Sequence, residues 1–171
     1  MSDDELIDKI KGGDEVAAKE LIDRYYAAIL RYCGWHCAVP GKAEDLTQET
    51  FFRLFQSLPG YRGRKKFKAY LYTIANRLCI DESRKKPFYS LEDAEEIASG
   101  RNEIVQAEQR EEIRRLLGVL SEEQREAVIL RFGQELGFSE IAKVMGCGMR
   151  TAQSRVRNAL RIMKKEFGDE R

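Results

Sequence analysis

Residues 139–157 read SEIAKVMGCGMRTAQSRVR, a pattern of helix, turn and basic helix that is typical of a helix-turn-helix unit. Ala142 stands four residues before Gly146, which places a small side chain where two helices approach closely. Gly146 can adopt the positive φ that ends a helix, and Ser139 is the expected cap of the first helix. We expect the two helices to pack through Ile141, Val144, Met145, Val156 and Leu160.

The second helix of this unit carries polar side chains at spacings of three and four residues. Arginine and glutamine can read guanine and adenine edges in the major groove, and serine and threonine can contact bases or phosphates. The N-terminus of such a helix is the usual base-reading end. A helical hairpin with a basic outer face and no DNA partner is the alternative. The candidate DNA contacts are Arg150, Thr151, Gln153, Ser154, Arg155, Arg157 and Arg161.

Charge is segregated along the chain, although the formal net charge is only +1. Residues 59–89 hold nine basic and two acidic side chains, and residues 149–171 hold seven basic and three acidic ones. Between them, residues 90–112 hold two basic and eight acidic side chains. Two separated basic blocks indicate two contact points on one nucleic acid, unless they are simply solvated helix faces.

Composition excludes several classes of protein. The chain has 171 residues and is 43% hydrophobic, enough for a packed core, yet no apolar stretch approaches the length of a membrane span. Its acidic first residues do not resemble a signal peptide, so we expect a cytoplasmic protein with reduced cysteines. A single histidine and the lack of a Gly-rich phosphate loop argue against most common enzymes. We therefore expect no catalytic residues, cofactor or metal.

Helical periodicity covers most of the chain and predicts an all-α fold of two small helical domains on one tether. The expected domains are residues 1–87 and 107–171, with a flexible acidic linker over 88–106. The expected helices lie before Gly12, from Asp14 to about Gly34, over 43–58, 67–85 and 107–119, from Ser121 to about Phe132, from Ser139 to about Met145, and from Arg150 to about Phe167.

The first basic block interleaves cations with aromatic rings from Tyr61 to Lys86. This mixture suits single-stranded nucleic acid, because rings stack on unpaired bases for about 1–3 kcal/mol each while Lys and Arg hold the backbone. We expect Phe67 to be a core residue and Tyr61, in a loop, to be exposed. The preceding helix, 43–58, presents Glu44, Asp45, Gln48, Glu49, Arg53 and Gln56 opposite its apolar face, as either a solvated face or a protein-docking face.

The order of these motifs resembles a bacterial RNA polymerase sigma factor. Residues 45–51 (DLTQETF), 67–77 (FKAYLYTIANR) and 84–86 (RKK) look like region 2 of that family. Residues 120–131 and the helix-turn-helix look like region 4. The short connection between the two regions matches the extracytoplasmic function (ECF) class. The resemblance covers nearly the whole chain.

This resemblance implies promoter-specific transcription initiation. In the family, region 2 binds the clamp helices of the β′ subunit and recognises and melts the −10 element, whereas region 4 reads the −35 element and packs on the β flap. The residues carried over to core polymerase are Asp45, Gln48, Glu49 and Arg53. Those carried over to the −10 element are Tyr61, Arg64, Lys66, Tyr70, Asn76, Arg77, Asp81, Arg84 and Lys85, with the loop 60–66 capturing a flipped base. The helix-turn-helix candidates named above fall at the −35 element.

The resemblance also implies partners and motion. An anti-sigma factor is an expected partner, and we expect the chain to be a monomer when free of partners. Two units on a tether predict a compact arrangement when free or inhibited and an extended one on polymerase. Tyr70 replaces the Trp usual in the family, and Ala152-Gln153 and Arg157-Asn158 depart from its recognition helix, which bears on promoter sequence.

Cys33, His36 and Cys37 lie within about one helical turn. They can be core residues, with His36 near the surface, or three zinc ligands, or a redox switch. A free-standing helix-turn-helix regulator that dimerises on duplex DNA is the main alternative to a sigma factor, but it has no use for the basic aromatic segment. A small nuclease would need clustered carboxylates.

Overall fold

The computed structural model describes residues 1–37, 39, 41–84 and 103–168, and these residues are helical, with no strand among them. The all-α prediction is confirmed. The helices are α1 (Asp3–Lys11), α2 (Glu15–His36), α3 (Lys42–Ser57), α4 (Phe67–Ser83), α5 (Glu103–Gly118), α6 (Glu122–Val128), α7 (Phe138–Met145) and α8 (Met149–Phe167). A 3₁₀ turn, Leu58–Gly60, follows α3, and a π-helical turn, Ile129–Gly133, follows α6.

Side-chain caps set several of the helix starts. The Asp14 carboxylate accepts hydrogen bonds from the backbone N–H groups of Val16 and Ala17 at the start of α2. Ser121 forms the expected capping box with Gln124 at the start of α6. The expected cap at Ser139 is wrong. Gly137 caps α7 instead, because the Glu140 side chain reaches back to the Gly137 N–H at 3.2 Å.

Helices α1–α4, the first unit, enclose an apolar core. Leu21 and Ile29 of α2, Leu54 of α3 and Leu71 of α4 are fully buried at its centre. Phe67, at the start of α4, is also buried, as expected. These residues recur at spacings of three, four, seven or eight along each helix, which is why one face of each helix is covered.

Helices α5–α8, the second unit, include the helix-turn-helix. Gly146 adopts φ 65° between α7 and α8, as the sequence predicts. Ala152, Val156 and Ala159 face inwards from α8. The expected packing of Leu160 is wrong, since Leu160 is 43% exposed and Ala159 takes the inward position one residue earlier.

The division into domains over 1–87 and 107–171 stays a prediction. Helix α5 begins at Glu103, four residues before the predicted helix start and within the segment 88–106 that the sequence indicates as a linker. The rest of that segment and Lys85, an expected −10 contact, lie outside the described residues.

The two units pack against each other through α4 and α7. The Tyr72 hydroxyl of α4 donates to Gln134 Oε1 at 2.6 Å. Arg114 of α5 donates to the Gly34 carbonyl of α2 at 3.4 Å and lies 6.0 Å from the centre of the Trp35 ring. We call this the packed arrangement. Among the described helices, none is both long and apolar enough to cross a bilayer.

Candidate nucleic-acid interface

One side of α3 presents the residues that the sequence points to as a protein-docking face. Asp45, Gln48 and Arg53 are exposed there, and Glu49 is half-buried. Arg53 Nε lies 3.0 Å from Glu49 Oε1, so these two side chains hold each other one helical turn apart. Phe52, on the same exposed side of α3, has 59% of its surface exposed. The sequence analysis did not include Phe52 in this face. The signal for it is the helical period, because Phe52 does not fall on the apolar side of α3 that Phe51 and Leu54 share.

A second exposed face runs along α4. Tyr70, Arg77, Asp81 and Arg84 follow one another at spacings of seven, four and three, so they share one side of the helix. The three charged residues are exposed, whereas Tyr70 is half-buried and donates its hydroxyl proton to Ser57 Oγ.

Asn76 does not lie on that face, although the family resemblance implies that it contacts the −10 element. It is 5% exposed and points toward the second unit. Its Nδ2 atom donates to the Tyr32 hydroxyl at 2.9 Å and to Glu126 Oε1 at 3.1 Å. Asn76 comes one residue before Arg77, and neighbouring residues on a helix point about 100° apart. In the packed arrangement Asn76 is therefore covered.

The expectation that Tyr61 is exposed is wrong. Tyr61 is 9% exposed, with its ring centre 4.5 Å from that of Tyr70 and 6.3 Å from that of Phe67. Burial raises the pKa of Tyr61. A loop position did not prevent burial, because Gly63 lets the chain fold over the ring: a Cβ atom at Gly63 would lie 2.6 Å from the Tyr61 hydroxyl oxygen.

The rest of this loop is basic and exposed, with α1 lying beside it. Arg64 and Lys66, the candidate contacts, both present their side chains to solvent. A cavity of about 210 Å³ separates the loop from α1. It is lined by Asp4, Ile7, Asp8, Lys11, Tyr61, Arg62, Gly63 and Arg64.

The second helix of the helix-turn-helix, α8, presents its candidates at its N-terminal half. Arg150, Thr151 and Arg157 are exposed, as is Arg161 further along. The other three, Gln153, Ser154 and Arg155, are half-buried. Arg155 also lines a cavity of about 500 Å³ between the units, together with Arg84, the residue that follows α4.

A buried carboxylate joins the two units. Glu126 of α6 is 6% exposed, and its Oε2 atom lies 2.9 Å from His36 Nε2 of α2. Its Oε1 atom accepts hydrogen bonds from the Tyr32 hydroxyl and from Asn76 Nδ2. We call Glu126, Tyr32, His36 and Asn76 the Glu126 cluster. The expectation that His36 lies near the surface is wrong, since its side chain is 7% exposed.

Each partner in this ion pair favours the charged form of the other. Burial by itself would raise the pKa of Glu126, but the charge of His36 and the hydrogen bonds from the cluster outweigh it and lower that pKa. Burial would likewise lower the pKa of His36, and the Glu126 carboxylate outweighs it, so that pKa is raised. The pair therefore stabilises the packed arrangement when both groups are charged.

Three cysteines lie near this cluster, namely Cys33 in α2, Cys37 directly after α2 and Cys79 in α4. Cys33 and Cys79 are fully buried, and the Cys79 thiol donates to Cys33 Sγ at 3.6 Å, which lowers the pKa of Cys33. Burial raises the pKa of Cys37 to about 12. His36 is engaged by Glu126 rather than by the two neighbouring thiols. Within the described ranges, no three His, Cys, Asp or Glu side chains are grouped to hold a metal ion.

Comparison with known proteins places both units in one family. Residues 21–87 match the family model described as Sigma-70 region 2, and residues 110–163 match that described as Sigma-70, region 4. The ECF RNA polymerase sigma factor SigW of Bacillus subtilis is 28% identical, over 95% of this chain and 95% of its own. The ECF RNA polymerase sigma-E factor of Escherichia coli K12 is 27% identical, over 91% of this chain and 89% of its own.

Two solved structures share the fold. CnrH, solved in complex with the cytosolic domain of CnrY, superposes with a TM-score of 0.77 and 18% identity, covering 97% of both chains. The sigma factor RpoE of Bartonella quintana, solved with the anti-sigma factor NepR, has a TM-score of 0.68 and 21% identity. It covers 90% of this chain and 98% of its own.

Proposed function

This chain belongs to the sigma-70 family of RNA polymerase sigma factors, in the extracytoplasmic function class, and from that we propose how its surfaces are used. The chain binds core RNA polymerase and directs promoter-specific transcription initiation. The observation that carries this function is the order of the two matched segments, region 2 before region 4, each on its own helical unit. The polymerase supplies the chemistry, and this chain selects and positions the promoter in the bacterial cytoplasm.

The exposed side of α3 is the proposed contact with the clamp helices of the β′ subunit. Its charged and polar members are Asp45, Gln48, Glu49 and Arg53, and we add Phe52. An exposed aromatic ring beside an arginine is the composition that dominates binding energy at protein interfaces. The 59% exposure of Phe52 is the support for this addition.

We assign contact with the −10 element to the loop 60–66 and the exposed face of α4, which together form the proposed −10 surface. Arg64, Lys66, Arg77 and Arg84 present cations to the DNA backbone, as single-strand binding requires. Tyr61 and Tyr70 act as a pair of contacting rings, tilted by 33°, that supports the loop, since Tyr61 is buried against Tyr70.

The −35 element is the proposed ligand of α8. Its N-terminal half is the part of a recognition helix that usually contacts base edges. Arg150, Thr151 and Gln153 lie in its first turns, and Arg157 and Arg161 follow on the exposed side. The β flap is the proposed protein partner of the same unit.

The packed arrangement is the proposed state of the free chain. It covers Asn76 with Glu126, so an Asn76 contact with the −10 element requires the two units to separate. We further propose that separation accompanies binding to core polymerase. An anti-sigma factor is a proposed partner of this chain, and RpoE of similar fold was solved with one, NepR.

The experiment that tests this function combines the purified chain with bacterial core RNA polymerase and a pool of promoter fragments. Run-off product that requires both components is the expected result, and the enriched fragments give the −35 and −10 sequences. Tight duplex binding by the chain alone, with no binding to core polymerase, would instead establish a free-standing regulator.

A further inference from the structure

The acidic helix α1 holds the basic loop of residues 61–66 at three points. The Asp4 carboxylate accepts a hydrogen bond from the Lys65 backbone N–H at 3.0 Å. Lys11 Nζ donates to the Tyr61 carbonyl oxygen. Arg64 Nη2 lies 3.7 Å from Asp8 Oδ2. The loop is therefore tied along its length to a helix that lies about sixty residues earlier in the chain.

The Asp4 contact falls where the loop backbone is least favourable. Lys65 adopts φ 59°, the left-handed conformation that a side chain with a Cβ atom disfavours. A residue keeps such a conformation when its surroundings compensate for it. The carboxylate of Asp4 supplies a charge-assisted hydrogen bond to that residue's N–H group, which is the stronger kind.

These contacts order the loop while leaving its cations available. Asp4 bonds the backbone of Lys65, so the Lys65 ammonium group stays exposed, as do Arg62 and Lys66. The Arg64–Asp8 pair is 73% and 58% exposed, and exposed ion pairs contribute little. A DNA phosphate can displace Asp8 from Arg64 without disturbing the bond from Lys65 to Asp4.

The same helix forms one wall of the cavity beside the loop. The cavity has a volume of about 210 Å³, and on the α1 side it is lined by Asp4, Ile7, Asp8 and Lys11. On the loop side, Tyr61 connects this wall to Tyr70, whose helix carries the rest of the −10 surface. A change in α1 is thus transmitted to the loop directly. It reaches α4 through Tyr61 and also through Tyr25, which donates to Asp3 of α1 and packs against Phe67 of α4.

We propose that α1 is a positioning element for the −10 loop, and that Asp4 is its positioning residue. This proposal rests on the proposed function, because the loop's role in reading the −10 element comes from there. Asp4 contacts no DNA in this scheme. It holds the backbone of Lys65 in the left-handed conformation, and the resulting loop shape decides which unpaired base the loop accepts.

Limited trypsin digestion tests the structural half of the proposal, because the loop offers Arg62, Arg64, Lys65 and Lys66 as cleavage sites. Asp4→Ala is expected to raise cleavage in the loop, mapped by mass spectrometry, by about tenfold, the factor that one hydrogen bond to a charged group represents. Asp4→Asn loses the same charge but keeps an acceptor oxygen, so it should retain most of the protection. Equal cleavage in Asp4→Ala and wild type would overturn the proposal.

Base discrimination tests the functional half. The probes are single-stranded −10 oligonucleotides from the fragments that wild-type holoenzyme selects, and variants with one base replaced. For holoenzyme with the wild-type chain, the ratio compares its affinity for the selected oligonucleotide with its affinity for the variant that has one base replaced. In holoenzyme with Asp4→Ala, this ratio is expected to be about tenfold smaller. Its affinity for core polymerase should not change.

A second substitution separates loop shape from general damage. Glycine adopts the left-handed conformation readily, so in a Lys65→Gly background Asp4→Ala should have little further effect on discrimination. An undiminished effect there would overturn the mechanism. No transcript with the wild-type chain would overturn the proposed function itself, whereas a wild-type transcript with base preference unchanged by Asp4→Ala would overturn only the positioning role.

Discussion

The Glu126 carboxylate lies 2.9 Å from the Nε2 atom of His36, and this contact joins the unit with the proposed −10 surface to the unit with the proposed −35 surface. Both side chains are buried, and Tyr32 and Asn76 complete the hydrogen bonding of the carboxylate. Glu126 also covers Asn76, an expected −10 residue. The interface between the units therefore includes a side chain that the family resemblance assigns to the −10 element.

Replacing Glu126 by Gln should favour separation of the two units. The substitution leaves His36 buried without a counter-ion, and breaking a buried pair costs about 3–5 kcal/mol. Small-angle X-ray scattering of the free chain should show a larger radius of gyration than wild type. Glu123→Gln, at an exposed position of the same helix, is the control and should leave the radius unchanged. An unchanged radius in both variants would contradict a role for the pair in packing.

The packed arrangement should weaken as pH rises above 6.5, the ordinary pKa of histidine. His36 has a raised pKa, so its contribution is fully present below its ordinary pKa of 6.5 and is lost as pH rises through the raised value. Glu126 has a lowered pKa, so its contribution is lost only as pH falls below its ordinary value of 4.5. Cys33 and Arg125 also act on His36, but neither outweighs Glu126. Scattering across this pH range should show expansion on the alkaline side, and His36→Gln should abolish that response.

The two glycines around Cys147 should respond differently to alanine. Both have open space where a Cβ atom would be added, but Gly146 has φ 65° and Gly148 has φ −75°. Gly146→Ala should reduce the free energy of unfolding by about 1–2 kcal/mol, the cost of a left-handed residue with a side chain. Gly148→Ala should cost only about 0.5 kcal/mol, the N-cap preference for glycine over alanine. Denaturant midpoints measure both, and equal losses would show that the φ angle is not the cause.

Removing the Phe52 ring should weaken binding to core polymerase. An exposed aromatic anchor at an interface contributes about 2 kcal/mol or more, so Phe52→Ala should raise Kd about thirtyfold. Val16→Ala is a matched control, because Val16 is 78% exposed on α2, away from this face. Thermal unfolding should be unaffected in both. A wild-type Kd for Phe52→Ala would exclude the ring from the interface.

Gln153→Ala should relax promoter choice at one position of the −35 element. A side chain that reads a base contributes about 1–3 kcal/mol of discrimination. Selection from a fragment pool with each holoenzyme would show which base preference disappears. Lys164→Ala, exposed in the last turn of α8, should weaken binding without changing preference. If neither variant changes the selected sequence, Gln153 does not read a base.

Local sequence determined the helices and the family. The capping box at Ser121, the glycine turn at Gly146 and the core position of Phe67 follow from residues close together in the chain, and the structure has all three. Motif order and spacing carry the resemblance to sigma regions 2 and 4, which the family models match. Both kinds of signal depend on short-range backbone and side-chain preferences.

Only tertiary structure decided the burial of Tyr61, His36 and Asn76. Periodicity along one helix says which side is apolar, but not which polar side chain meets a partner from a distant element. Glu126 makes burial of His36 and Asn76 possible by satisfying their polar atoms. Tyr61 is enclosed by shape instead, because Gly63 leaves room for its ring, which lies against that of Tyr70. A buried polar group needs a partner in space, and that partner is set by the packing of whole helices.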